Sequence, residues 1–109
     1  MGKSAELLPG TLDLLILKSV SLTPLHGYGV LLRIHQISGQ ALEIPQGSLY
    51  PALYRLEAKG LIAAEWAETE NGRKAKVYSV TAAGRKALAE QRESWQRFSG
   101  ALDAILKVS

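Results

Sequence analysis

Two short groups of side chains carry most of the chemistry in this sequence. Gln46, Ser48 and Tyr50 stand at alternate positions in "IPQGSLYPALYRLEAKG", and Arg73, Lys74 and Lys76 fall within four positions of "NGRKAKV". The first group offers hydrogen bonds: a glutamine amide matches an adenine edge, and hydroxyls pair with bases or phosphates. The second is a compact set of positive charges suited to phosphate oxygens. Neither group breaks a bond by itself. The chemistry is that of gripping a polyanion.

Catalytic and metal-binding arrangements are missing. His26 and His35 are nine residues apart, with no organised carboxylate nearby, and Asp13, Glu43 and Glu57 are dispersed. Ser48 has no identifiable histidine and carboxylate partners. "HGYG" lacks the full glycine spacing of a phosphate-binding loop. There is no cysteine, which excludes disulfides and thiolate metal sites. The expectation is therefore a protein that is not an enzyme and that needs no cofactor or metal. The net charge of +3, from 13 basic against 10 acidic residues, permits nucleic-acid binding without demanding it. No apolar run reaches the roughly 18 residues that a membrane span needs. "LDLLILKSVSL" is broken by Asp13, Lys18 and two serines, and "MGKSAELLPG" has no secretory apolar region. A cytoplasmic protein without a membrane partner is expected.

The elements that must position the two groups are legible from spacing. Leu49, Leu53 and Leu56, with Ala52, make the inner face of a helix. Tyr50, Tyr54, Arg55 and Lys59 fall around its remaining surface. Pro51 would cost roughly 3 kcal/mol in a helix interior and little in the first turn. The helix is thus expected to begin near Gln46 to Ser48 and to stop at Gly60, with Leu61 and Ile62 giving the apolar contact that follows such a stop. Upstream, "TLDLLILKSVSL" is a helix with Leu12, Leu15, Ile16 and Ser19 or Val20 on one face, widened by Leu14 and Leu17. Thr11 is its expected cap, and Thr23-Pro24 its end. In the second helix, "HGYGVLLRIHQIS", Tyr28, Leu31, Leu32 and Ile34 or His35 are expected to supply the apolar side, His26 to steady the entrance and Gly39 to stop it. Gly27 and Gly29 weaken this helix by about 1 kcal/mol each, a cost most easily accepted where backbones approach closely.

After the third helix, Ile62, Ala64 and Trp66 alternate, as do Val77 and Ser79 against Tyr78 and Val80. Asn71-Gly72 between them signals a hairpin turn in which both residues tolerate positive φ. Thr81 then caps a last helix in which Leu88, Trp95 and Leu102 recur every seven residues beside Phe98, Ile105 and Leu106. Gly84, Ala87 and Ala101 are small enough for close approach. At 1.5 Å per residue this helix is about 35 to 40 Å long, more than a small body can cover. It is expected to pair between subunits, to fold back onto the wide face of the first helix, or both. The fold class is mainly α with a two-stranded β wing: a winged helix-turn-helix over residues 1–81 and a carboxy-terminal dimerisation helix over 82–109.

The blocks "LLPGTLDLLILKSV", "PLHGYGV", "QGSLYPALYRLEAKGLI" and "NGRKAKVYSVTAAGRKAL" resemble the PadR family of bacterial transcriptional regulators, across residues 5 to 106. The matching positions include Leu7, Leu8 and Gly10 before the first helix, Gly47, Leu49, Tyr50, Pro51 and Gly60 around the third, and Gly72, Arg73, Tyr78 and Thr81 at the wing and beyond. The resemblance implies a homodimeric repressor that binds a palindromic site in double-stranded DNA. The DNA-contacting set expected on this reading is Gln46, Gly47, Ser48, Tyr50, Pro51, Tyr54, Arg55, Lys59, Arg73, Lys74 and Lys76, although Ala75 interrupts the family's basic run. The expected dimer interface is Leu12, Leu15, Leu88, Trp95, Phe98, Leu102, Ile105 and Leu106. Trp95 also resembles the aromatic position with which multidrug-binding members of the short subclass hold flat aromatic molecules. That implies a small aromatic or hydrophobic effector, with Leu14 and Phe98 as further liners. Two rival readings stand beside this one: a winged-helix protein-interaction module, and a DNA-binding regulator with no effector.

Overall fold

The computed structural model describes Leu7 and residues 10–109. The family match at Leu8 and the charge pattern of residues 1–6 lie outside the described residues. The elements run α1 Thr11–Leu22, β1 Leu25–His26, α2 Gly27–Ile37, α3 Gln46–Ala58, β2 Ile62–Glu68, β3 Lys74–Val80 and α4 Ala82–Leu106.

The leucine ladder of α3 is the centre of the core. Leu49, Ala52, Leu53 and Leu56 are fully buried and meet Ile16, Leu17 and Val20 of α1 and Val30 and Ile34 of α2. Ile44, Ile62 and Tyr78 close the cluster. Ser19 is buried with the α1 stripe, and its hydroxyl donates to the Leu15 carbonyl at 2.8 Å, so no donor is orphaned.

Four expectations change. The α1 cap is Gly10, in the left-handed region at φ 82, and Thr11 is the first helical residue. The inward face of α2 is Gly27, Val30 and Ile34, while Tyr28 and Leu32 are exposed. The periodicity of α2 admitted either face; the contact of Gly27 with α3 selects the one that carries the glycine. The wing belongs to a sheet of three strands, not two, in the order β1-β3-β2, because Leu25 and His26 pair with Tyr78 and Val77. A two-residue strand has no periodicity to betray it. Finally, only Gly72 of the Asn71-Gly72 pair takes positive φ. The Gly72 N–H donates to the Thr69 carbonyl and the Thr69 N–H to that of Arg73, which makes a three-residue loop with a glycine bulge.

Other boundaries follow the sequence. His26 caps α2, its Nδ1 accepting from the Gly29 N–H at 3.0 Å. At the end of α3, the Gly60 N–H donates to the Glu57 carbonyl and the Leu61 N–H to that of Leu56, with Gly60 at φ 74. This double bond is the Schellman closure. The start of α3 at Gln46 puts Pro51 at its sixth residue, past the first turn. Pro51 has no N–H to give to the Gly47 carbonyl, but both residues are exposed and water can serve that oxygen.

Thr81 joins the halves. Its N–H donates to the Leu61 carbonyl at 3.2 Å, its hydroxyl donates to the Gly60 carbonyl at 2.7 Å, and its Oγ1 accepts from the Gly84 N–H at 3.0 Å. The cap of α4 is thereby bolted to the end of α3. Over its 25 residues α4 buries only Gly84. The radius of gyration is 15.5 Å, against about 13 Å for a compact domain of this size. The outer half of α4 accounts for the excess, since Ile105, Leu106 and Val108 are all largely exposed.

Candidate nucleic-acid interface

The first turns of α3 stand out from the body. Pro45 is the N-cap, and its carbonyl accepts from the N–H groups of Ser48 and Leu49. Gln46, Gly47, Ser48, Tyr50, Pro51 and Tyr54 are all exposed, whereas Leu49 and Leu53 between them are fully buried. The buried pair fixes the helix, and the exposed set is what it presents. No acidic residue lies in the first turn to oppose an anion at the positive helix end.

The wing faces this helix through one side of the ribbon. Trp66 pairs across the ladder with Lys76, and Ala64 with Tyr78. Side chains alternate along a strand, so Trp66, Lys76 and Tyr78 share a face. Lys76 Nζ lies 3.3 Å from Glu57 Oε1 of α3, 5.5 Å from the Tyr54 ring centre and 5.9 Å from that of Tyr78. The hydrogen bond that Lys76 donates to Glu57 raises the Lys76 pKa, which keeps the ammonium charged. Burial raises the Tyr78 hydroxyl, which keeps it a neutral donor. A cleft of about 420 Å³ opens between the start of α2, α3 and the wing, walled by all four tyrosines, Trp66 and Lys76.

The site residues named from sequence do not all converge. Gln46, Ser48, Tyr50 and Tyr54 share the α3 surface with Lys76 alongside, and Arg73 and Lys74 stand exposed at the wing tip. Arg55 points elsewhere: its Nη2 donates to Asp13 Oδ1 of α1 at 2.7 Å. Lys59 is the C-cap of α3, roughly 20 Å along the helix from Gln46. The wing also carries Glu65, Glu68 and Glu70, which cancel the charge of Arg73, Lys74 and Lys76, and Glu68 sits directly across the ladder from Lys74. Counting only the basic run overstated the positive field. Trp66 and Tyr78 were missed as walls of the cleft, although the alternation that puts them beside Lys76 was present in the sequence.

A second site lies where α1 meets α4. Leu14, Trp95 and Phe98, the three expected liners, surround a pocket of about 220 Å³ with Gln91 and Ser94. The Trp95 and Phe98 rings are 6.0 Å apart, centre to centre. The Oε1 of Gln91 is buried without a hydrogen-bond partner. Of the residues expected at a dimer interface, Leu12, Leu15 and Leu88 pack partly against the chain's own core. Trp95, Phe98, Leu102, Ile105 and Leu106 remain open to solvent. Among the described residues no group of three or more histidine, cysteine, aspartate or glutamate side chains is placed to hold a metal. No helix among them is long and apolar enough to cross a membrane.

Known proteins share this layout. The family description "Transcriptional regulator PadR-like family" matches residues 16–90, more than half of the chain. A PadR-like transcriptional regulator from Bacillus cereus has a solved structure that is 27% identical, with a TM-score of 0.81, covering 96% of this chain and 100% of that one. A transcriptional regulator of Mycobacterium tuberculosis is 39% identical over 64 residues, 59% of each protein. A 37.1 kDa protein in a Streptomyces fradiae transposon is 41% identical over 88 residues, which is 81% of this chain and 24% of that protein. The chain thus spans 59% and 24% of the lengths of these last two relatives.

Proposed function

The chain belongs to the PadR-like family of transcriptional regulators, and on that premise we propose that it acts as a homodimeric repressor of a palindromic operator, tuned by a small aromatic or hydrophobic effector. It is a DNA-binding regulator and not an enzyme. The observation that carries the proposal is the exposure of Gln46, Ser48, Tyr50 and Tyr54 on a helix locked from behind by buried leucines, with Lys76 of the wing beside it. Such a helix end enters a major groove, and its first residues meet base edges. Arg73 and Lys74, at the wing tip, are the phosphate contacts in this reading. Residues 1–81 read DNA and residues 82–109 pair the subunits, whose two-fold symmetry sets half-sites about one helical turn apart.

A titration against a selected operator and a random duplex tests the assignment. Tyr50→Ala is expected to weaken operator binding by roughly tenfold or more and random binding much less. Lys74→Ala should weaken both alike and lower the salt slope by about one. Unchanged affinity of both variants for both duplexes would sink the contact assignment and favour the protein-interaction module.

The effector belongs in the pocket of Leu14, Trp95 and Phe98, where an aromatic wall and a small cavity coincide. In a Trp66→Phe protein, Trp95 is the sole remaining tryptophan. Its fluorescence should change saturably with one or more compounds from a panel of flat aromatics. A flat response across the panel would mean that the regulator works without such an effector.

A further inference from the structure

Gly27 stands at the corner where three parts of the DNA-reading surface meet. It is the first residue of α2 and is buried. His26, just before it, pairs with Val77 of the wing and caps α2 through Nδ1. From the other side, the ring of Tyr50 lies flush against the Gly27 backbone. A Cβ on residue 27 would stand 2.8 Å from Tyr50 Cε1, 2.9 Å from its hydroxyl oxygen and 3.0 Å from Cζ. Real side chains do not pack that closely, so any residue but glycine displaces the ring. Nothing in the backbone itself demands a glycine, because Gly27 has no positive φ. The three closest contacts all belong to Tyr50.

We infer that Gly27 is a positioning residue for operator specificity: its bare backbone is the seat that sets the pose of the Tyr50 side chain relative to the wing. The inference rests on the reading of Tyr50 as a base-proximal contact. Tyr50 is 40% exposed, so one part of it is gripped while the rest faces outward. It sits in the first turns of α3 with Leu49 buried behind it, so the helix itself is fixed. What remains free is the side-chain rotation, and Gly27 limits that. A ring held on one side loses little rotamer freedom on binding, which favours the cognate contact over diffuse ones. The arrangement also ties Tyr50 to β3 through the single corner of His26 and Gly27, so the reading helix and the wing hold a common frame.

The test is a double-mutant cycle read on two duplexes: one selected by the wild-type protein from a random pool, and one of scrambled sequence. Gly27→Ala is expected to lower affinity for the selected duplex about tenfold while changing the scrambled one less than about twofold. In a Tyr50→Ala background, where the ring is gone, adding Gly27→Ala should change neither affinity by more than about twofold. Thermal unfolding of each variant separates misfolding from mispositioning. Should Gly27→Ala alone fail to fold, Gly27→Ala with Tyr50→Ala is expected to fold, because the clash is with that ring. A Tyr50→Ala protein that keeps full preference for the selected duplex would defeat the reading of Tyr50. If Tyr50→Ala loses preference but folded Gly27→Ala keeps it, or if Gly27→Ala costs the same affinity with and without Tyr50, the positioning role is overturned. Failure of the double variant to fold would overturn it too, since the glycine would then be required by something other than Tyr50.

Discussion

Gly84→Ala is expected to destabilise the protein by about 3 kcal/mol, the upper end of what one added methyl does in a packed site. Gly84 is the third residue of α4, and a Cβ there would collide with the carbonyl oxygen of Leu61. It would also meet Val80 Cγ2 at 2.8 Å and the Leu61 carbonyl carbon at 3.0 Å. A side chain could rotate away, but a backbone carbonyl cannot. Leu61 follows the Schellman closure of α3, and its oxygen accepts from the Thr81 N–H. The hydroxyl of Thr81 is in turn bonded to Gly60 and to the Gly84 N–H. Relief therefore requires α4 to lift from the end of α3, breaking its cap. Gly100 on the same helix is the control. Nothing lies within 4 Å of a Cβ there, so Gly100→Ala should stabilise by about 0.5–1 kcal/mol through helix propensity alone. Urea unfolding should show opposite shifts in midpoint with a common slope. Equal midpoints for Gly84→Ala and the wild type would mean that α4 is not seated on Leu61.

The legibility of this fold tracks how local its causes are. The ladder of Leu49, Leu53 and Leu56, the stop at Gly60 and the Thr81 cap depend on neighbours within a turn or two, and each was readable from spacing. The helical element over Gly27–Ile37 was readable too, but its inward face only in part: Leu31 and Ile34 pack inward as expected, whereas Tyr28 and Leu32 are exposed and Gly27 and Val30 are buried in their place. Long-range packing separates the two sets: Val30 and Ile34 join the core with α1 and α3, and Gly27 lies against the ring of Tyr50, 23 positions away in the chain. The strand at Leu25–His26 exists because β3 passes beside it, a long-range cause that two residues cannot encode. The same division runs through the candidate site. Gln46, Ser48 and Tyr50 were expected at an exposed helix start, and all three are exposed there. Arg55 was grouped with them by sequence, yet Asp13 draws it towards α1, across a separation of 42 positions. The charge of the wing is likewise a long-range property: Glu68 of β2 faces Lys74 of β3 across the ladder, a pairing that position along the chain does not display.

Trp95→Glu is expected to convert a dimer into a folded monomer, and the geometry of α4 supplies the reason. Within the chain, Ala87 and Leu88 of α4 pack against the core, and Leu14 of α1 shares a pocket with the stretch from Gln91 to Phe98. Beyond it, Leu102, Ile105 and Leu106 continue the apolar stripe at 38%, 70% and 71% exposure. A stripe of that length at heptad spacing is covered most simply by a second copy, with Trp95 near its middle. A carboxylate placed there would be buried without a partner, at a cost of about 4 kcal/mol, or roughly a thousandfold in the dimer dissociation constant. The monomer should tolerate the change better, since Trp95 is already 36% exposed within one chain. Light scattering at micromolar concentration should therefore give half the wild-type mass for Trp95→Glu, with helical circular dichroism retained. Gln96→Glu adds the same charge one residue along, outside the stripe, and should leave the dimer intact. A wild-type monomer would remove the reason for the exposed stripe, and a Trp95→Glu dimer of unchanged affinity would move the pairing surface off this face of α4. The first result would also deprive the palindromic-operator reading of its two-fold axis, because two reading helices reach successive turns of one duplex only if something fixed holds them apart.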